Sequence, residues 1–564
     1  MTAFEQALEA HSVPGSNLKG EVDGANWCFL LSRLELGKVL AVGCPAPSAL
    51  ATIARLGDEV TVWTTSTDYD RVRQMIERRS LANVSILSTE RDEALPLADD
   101  DCEVIFVASR RLAARIGARE LARVLKPDGA LYLEPPRFGL RRNGVESLLV
   151  GADRREPLWV APAWGELRFA APAADSAAVR YIQRRFFKPL FRRTLAKRPG
   201  QVAARTPAAN ALVRRRALLV RGDETNPTDP PAYLRSIAAA AGTPIENHRW
   251  AFAAPGVYSS QKALFFLFNG EDTEPRSVVK ITRDERHNPR LENEWRALGL
   301  LQEQELGDPR TRPSPLFFGR HAGLAVLGQT AVAGAPFVER TTGMEDCPHA
   351  RAAAEWLYDL GVSTAHVAPD PSRPVERLEA LLARFNELYD PDCDTSRFLE
   401  SELSALAADA GALRLVFQHG DPGPWNLVVT AGGSPGFLDW ESADPGGMPL
   451  WDLFHFLRSF GLIVSRKAGR HDPARSFDEQ ILATSALNQL LVDTTRRFCA
   501  ETGMSTRLVE PLFYLCWVHR AAKETSRLAP EALGSGRYFN LLRLAIRRRD
   551  APGLQRLFSP VANA

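Results

Sequence analysis

Several things are scarce in this chain, and each scarcity excludes something. The seven cysteines (Cys28, Cys44, Cys102, Cys347, Cys393, Cys499 and Cys516) are odd in number and never form a CxxC pair. A disulfide framework and a thiolate zinc site are therefore not expected, and the usage fits a reducing compartment. No apolar run approaches the ~18 residues that a membrane-crossing helix needs. The opening residues lack a basic region followed by an apolar stretch, so no secretory leader is expected and a cytoplasmic location is. Net charge is nearly absent, with 70 Lys+Arg against 68 Asp+Glu. No repeat of 20–50 residues marks a solenoid. What remains is 564 residues of ordinary globular composition, 45% hydrophobic and 24% charged. That is too long for one core and predicts two to four compact units.

The near-zero total hides an asymmetry. Residues 137–221 contain 19 Lys+Arg and 5 Asp+Glu, a local charge of +14 that leaves −12 for the rest of the chain. Within it, residues 180–198 read RYIQRRFFKPLFRRTLAKR, eight basic residues and no acid. Ile182, Phe186, Leu190 and Phe191 fall at helical spacing, interrupted by Pro189. One reading is a helix that packs an aromatic side on a core and leaves a basic side in water. The other is a surface for an anionic membrane or a lipid-linked glycan, which would place the protein peripherally at a membrane. Nucleic acid is not expected as a partner, because the rest of the chain is acidic.

Residues 20–136 alternate short apolar strands (Val39–Gly43, Glu59–Trp63, Asn83–Leu87, Glu103–Ser109) with helical segments. Regular β-α alternation implies a parallel sheet covered by helices. Gly222–Pro231 is polar and proline-rich and reads as a linker. Beyond it come a hairpin, a strand at Arg276–Thr282, an amphipathic helix around Glu292, a strand into a turn near Gln329, and mostly helical periodicity from about 345. The expected fold class begins with an α/β Rossmann-like domain and continues with an α+β domain. The expected boundaries are 1–221 (with the basic segment 137–221), a linker at 222–242, and the second domain at 243–564.

The sharpest signal is His419-Gly420-Asp421-Pro422-Gly423-Pro424-Trp425-Asn426, then a short hairpin and Leu438-Asp439-Trp440-Glu441. An Asp is followed five residues later by an Asn, and thirteen residues after that by a second Asp. Phosphoryl transfer from a nucleotide needs such parts: a carboxylate to orient the attacking hydroxyl, and an amide oxygen with a carboxylate to hold Mg²⁺ against phosphates.

The pattern resembles the aminoglycoside phosphotransferase and choline kinase-like family, whose fold is that of a protein kinase, and the resemblance implies an α+β bilobal domain with lobes at 243–340 and 341–564. The resemblance covers about residues 243–555. It implies that Asp421 is the catalytic base, that Asn426 and Asp439 hold Mg²⁺, and that Lys280 in VVKI pairs with Glu294 on the next helix, with Glu292 ranked second. It implies ATP binding by Gly256, Ser259 and Ser260 in the hairpin, by Lys280, and by Gln329 and Ala331 at the hinge between lobes. His419 and Asp452 are implied as structural support.

Leu121–Glu134 and Leu95–Phe106 resemble class I S-adenosylmethionine-dependent methyltransferases. The cofactor loop departs from that pattern. Ala41 stands where the family has an acid, and only Gly43 of the glycine loop is present, followed by Cys44-Pro45-Ala46-Pro47. The second strand ends Val62-Trp63-Thr64 with no carboxylate before Asp68. Proline fixes φ and removes a donor, so S-adenosylmethionine is not expected to bind.

The expected function is ATP-dependent, Mg²⁺-assisted phosphoryl transfer to a small-molecule hydroxyl of aminoglycoside, amino-alcohol or sugar type, with the first domain a scaffold. Residues 341–415 hold 14 acids and 6 bases, which would suit a cationic acceptor or merely solvated helix faces. Two alternatives stand beside it: a bifunctional methyltransferase-kinase acting on a sugar or glycan end, and a nucleotide-binding pseudoenzyme that serves as a partner-binding module.

Overall fold

The structure is a computed structural model that describes residues 25–88, 94–133, 155–161, 167–187, 215–221, 228–255, 262–526 and 528–559. The chain divides into two compact units. One gathers Lys19–Asn288 with Leu316–Ala331, and the other Pro289–Pro315 with Val332–Ala564.

The first unit is built on one sheet. Strands β1 (Gly37–Val42), β2 (Gly57–Thr64), β3 (Val84–Ser88), β4 (Cys102–Val107) and β5 (Leu125–Leu133) lie in the order β5-β4-β1-β2-β3 with every neighbour parallel. This is a Rossmann-like parallel sheet. Its middle strands are apolar on both faces because helices such as Pro47–Leu56 and Ala118–Val124 return between them. On one face Trp27 stacks on Phe106 and Tyr132, with centroids 4.8 and 5.2 Å away.

The sheet does not end at β5. The weakly patterned, arginine-rich stretch contributes β6 (Arg155–Ala161), β7 (Phe169–Pro172) and β8 (Arg215–Arg221). β8 runs antiparallel to β5, β6 to β8 and β7 to β6. β7 then pairs with β9 (Arg249–Ala253) through Phe169↔Ala253 and Ala170↔Phe252. Strands β10 (Ala263–Phe268), β11 (Ser277–Ile281), β12 (Pro315–His321) and β13 (Leu324–Thr330) complete the order β9-β10-β11-β13-β12. The result is a single sheet of 13 strands. One apolar core runs beneath it from Trp27, Val39 and Phe106 to Phe252, Phe265 and Val326.

Part of the stretch expected as a linker is instead anchored here. Ala232–Ala240 is a helix with Tyr233 and Leu234 buried, and Tyr233 Oη donates to the Phe29 carbonyl at 3.0 Å. Residues 222–227 lie outside the described residues.

The described part of residues 180–198 lies in a helix, Ser176–Ile182, continued by a π-helical turn, Gln183–Phe187. Asp175 caps it by accepting from the Ala177 and Ala178 amides. Ile182 is fully buried, Tyr181 packs 5.1 Å from Phe266, and Phe186 lies 5.1 Å from Phe169. Its aromatic side therefore faces the core, while Arg184 pairs with exposed Glu274. Residues 188–198 lie outside the described residues.

The second unit is mostly helical. Around the central helices Trp451–Lys467 and Val509–Ala522 pack Pro348–Thr364, Ser372–Tyr389, Cys393–Ala408 and Ala486–Thr502. Val509–Ala522 is buried along its whole length apart from Glu510, as a helix enclosed by others is, and Trp451 Nε1 donates to the Leu512 carbonyl at 2.9 Å. Two small sheets lie in this unit: β14 (Ala335–Pro336) with β16 (Leu427–Val429) and β17 (Pro435–Phe437), and β15 (Val416–Gln418) with β18 (Asp444–Gly447).

Candidate active site

The loop from His419 to Asn426 leaves β15 and enters β16, and its conformation follows from a few residues. Gly420 has φ of +80°, and a Cβ there would lie 2.0 Å from the Ser442 carbonyl oxygen, so only glycine fits. His419 is fully buried, its Nε2 3.0 Å from the Leu438 carbonyl. Asp452, in the first turn of Trp451–Lys467, accepts the His419 amide at 2.5 Å and the Gly420 amide at 3.0 Å. Burial pushes the Asp452 carboxyl up to about 6, against the pull of those two amides.

These contacts aim Asp421. Arg520 Nη2 lies 2.7 Å from Asp421 Oδ1, and Arg520 Nη1 donates to the Gly420 carbonyl at 2.9 Å. His455 Nε2 is 3.2 Å from the same Oδ1. Burial alone would raise Asp421, but the Arg520 charge and the His455 contact overcome it and hold the carboxyl well below the usual range. Burial and the Arg520 charge lower His455 to about 3, so its ring is neutral. Asp421 is thus an ionised, oriented carboxylate. Its Oδ2 receives only long hydrogen bonds, from Trp425 Nε1 at 3.4 Å and Asn426 Nδ2 at 3.3 Å.

Asn426 Nδ2 also donates to the Asp421 carbonyl at 3.0 Å, which leaves the amide oxygen as the free end of that side chain. The β16–β17 hairpin explains the thirteen-residue spacing. Leu427 pairs with Phe437, and the Leu438 amide donates to the Asn426 carbonyl at 2.8 Å. Asp439 therefore emerges beside Asn426, in the left-handed conformation at φ +70°. An amide oxygen and a carboxylate on neighbouring positions of the hairpin register are ligand types that suit a hard cation, which takes its other ligands from phosphates and water. Among the described residues no cluster of three or more His, Cys, Asp and Glu forms a protein-only metal cage.

The helix Asn288–Glu303 is tied to the segment after Asp439. Fully buried Glu294 accepts the Trp440 amide at 3.2 Å. Asn293 Nδ2 donates to the carbonyls of Glu441 and Ala443 at 3.1 and 2.8 Å. The other expected residues belong to the sheet unit. Lys280 is buried on β11, opposite Leu264 on β10 and Leu327 on β13. Gln329 is buried near the end of β13, and the Ala331 amide donates to the Arg276 carbonyl at 2.9 Å, which leaves the Ala331 carbonyl. Gly256, Ser259 and Ser260 lie outside the described residues.

Three participants escaped the sequence reading. Arg520 and His455 have no local signature, since Arg520 is 99 residues from the carboxylate it holds. Trp425, 50% exposed beside Asp421, was visible in the motif but was given no role.

Residues 259–486 match the model of the phosphotransferase enzyme family. No curated protein matches the chain. Among solved structures, an aminoglycoside phosphotransferase, APH(3'')-Id from Streptomyces rimosus, is similar at 16% identity. The likeness covers 51% of this chain and 97% of that one, with a TM-score of 0.32. The choline kinase LicA from Streptococcus pneumoniae is similar at 16% identity over 50% of this chain and 89% of that one, TM-score 0.32. A SAM-dependent methyltransferase from Aquifex aeolicus is similar at 18% identity over 27% of this chain and 81% of that one, TM-score 0.18.

Proposed function

We propose that the protein transfers the γ-phosphoryl group of ATP to a hydroxyl of a small molecule, with Asp421 as the base. The observation that carries this reading is the Asp421–Arg520 pair. An ionised carboxylate is fixed at both ends of its peptide while one oxygen stays nearly uncommitted. A loose transition state releases the acceptor proton late, so orientation matters more than basicity. Asp421 Oδ2 would accept the hydroxyl hydrogen and then the proton. Asn426 Oδ1 and Asp439 would hold Mg²⁺, which supplies charge neutralisation to the phosphates. Lys280 would bind phosphate oxygens, with Glu294 in its family role as the partner acid. Gln329 and the Ala331 carbonyl would line the adenine site, and Gly256, Ser259 and Ser260 would cover the phosphates. His419 and Asp452 would support the loop.

The test is transfer of label from γ-labelled ATP, with Mg²⁺, to a panel of hydroxyl compounds. Labelled acceptor that vanishes in Asp421→Asn supports the reading. A protein that binds nucleotide but turns over no ATP, with or without acceptors, overturns it and favours the nucleotide-binding pseudoenzyme.

The parallel sheet is proposed as a methyltransferase-like scaffold without its cofactor. Ala41 is buried, and buried Trp63 packs with Leu40, Val42 and Val107 where a ribose-binding acid would stand. Gly43 keeps a φ of +104°, but a Cβ there would meet Ser109 at 2.7 Å, so Ser109 crowds the glycine that remains. Micromolar binding of S-adenosylmethionine in calorimetry would promote the bifunctional reading instead.

A further inference from the structure

Beside Asp421 lies a group of hydrogen-bond donors without acceptors. Arg458 follows His455 by three residues on Trp451–Lys467, so the two share a helix face. It is 3% exposed, and neither Nη1 nor Nη2 has a hydrogen-bond partner. Its guanidinium carbon sits 5.1 Å from the centre of the Tyr538 ring, and that of Arg520 sits 5.4 Å from the same centre. The His455 ring lies 6.0 Å from Tyr538. Arg520 Nε and His455 Nδ1 are likewise buried and unpartnered. His455 Nε2 lies 2.9 Å from Arg520 Nη2 and 3.2 Å from Asp421 Oδ1.

Donors at Arg458 and Arg520 therefore face Tyr538 without acceptors. Burial lowers Arg458 only to about 10, so it is cationic at neutral pH. The neighbouring acid, Glu524, is committed to the Arg537 and Tyr538 amides at 2.9 and 3.1 Å. The Asp421 carboxylate already answers one arginine. A second buried guanidinium without hydrogen bonds is expensive to maintain, because it has lost water and gained only a ring face. Such a donor set is matched by a group that is all acceptor and negatively charged, and Arg in particular matches planar or tetrahedral oxyanions.

Resting on the phosphotransferase reading, we propose that the phosphate acceptor is anionic: a hydroxyl compound with a carboxylate or phosphate that docks on Arg458 and Arg520 Nε while its hydroxyl meets Asp421. This departs from the cationic acceptor that the acids of residues 341–415 would suit. Exposed Trp425, whose ring lies 6.0 Å from His455, offers an apolar face for the carbon skeleton between the two groups.

The test uses the full chain with Mg²⁺ and a non-hydrolysable ATP analogue, which fills the γ-phosphate position. Inorganic phosphate and acetate are titrated separately by calorimetry, and the stronger of the two names the oxyanion. Binding of at least one is expected, weakened about tenfold or more in Arg458→Met and only partly in Arg458→Lys. Without added anion, Arg458→Met should melt no lower than wild type, because it replaces an unpaired buried charge with an apolar chain of similar length. Neither anion binding, or equal binding by wild type and both variants, overturns the proposal. If Arg458→Met does not fold, Arg458→Lys decides the point alone: unchanged affinity for both anions overturns it. Nucleotide binding is measured in the same samples. Its loss with anion binding intact would count against the phosphotransferase reading and leave the anion site standing. The converse would remove only the anion site.

Discussion

Arg520 grips Asp421 from two directions, through Oδ1 at 2.7 Å and through the preceding Gly420 carbonyl at 2.9 Å. The pair fixes both the side chain and the peptide that carries it. Arg520 is a positioning residue on this reading, and its loss should act on turnover rather than on nucleotide affinity. Arg520→Met is expected to lower kcat about a hundredfold, the scale of an ångström-sized misplacement. Arg520→Lys should recover part of it, and the KM for ATP should hold in both. A change in the ATP KM alone would argue against the positioning role.

Asp421→Asn keeps the shape of the side chain but cannot take a proton. Turnover should fall about two to four orders of magnitude, the usual range for a positioned general base. Nucleotide affinity, read by calorimetry, should be nearly unchanged. Wild-type transfer rates in a folded variant would remove Asp421 from its assigned role.

Asp439→Ala deletes the carboxylate that emerges beside Asn426. Turnover should be abolished, because charge developing on the transferred group loses its counter-ion. Raising Mg²⁺ should not restore it, since Asn426 alone offers a single neutral oxygen. Measured turnover across a Mg²⁺ series checks both statements.

Gly420→Ala places a Cβ at φ +80° against the Ser442 carbonyl. Strain of this kind costs on the order of 1–3 kcal/mol. The melting temperature should drop by several degrees, and turnover should fall further than the fraction of folded protein.

Glu402 and Glu510 face each other from Cys393–Ala408 and Val509–Ala522. Burial, with the Glu510 charge second, pushes Glu402 up to about 7. A carboxyl raised on folding stabilises the fold fully below its unfolded value of about 4.5, and that contribution is lost as pH rises through about 7. Glu402→Gln should therefore melt higher than wild type at pH 8, by a few degrees, with the difference shrinking toward pH 4. Parallel melting curves against pH would exclude Glu402 as the source.

The legible parts of the sequence were the local ones. His419 to Asn426 stands out because its chemistry is packed into eight residues, and a two-strand register carries it on to Asp439. The parallel strands were legible because burial on both faces writes continuous apolar runs. β6, β7 and β8 were not, because they are short, rich in arginine or alanine, and lie beside strands distant in sequence. Arg520, His455 and Arg458 sit on helices whose periodicity reports only burial. A buried arginine in such a helix reads as a packing residue until its neighbours in space are known.

The pairing of β7 with β9 limits how the chain can be shortened. A fragment that begins near residue 243 would keep β9 but lose the strand that caps it. The Phe252 and Ala253 backbone would become an open edge, and the aromatic layer of Phe266 and Phe268 would lose the cover of Tyr181. Bare edges of this kind recruit other chains. A fragment of residues 243–564 should aggregate or dimerise edge to edge, and the full chain, in which β7 covers β9, should stay dispersed.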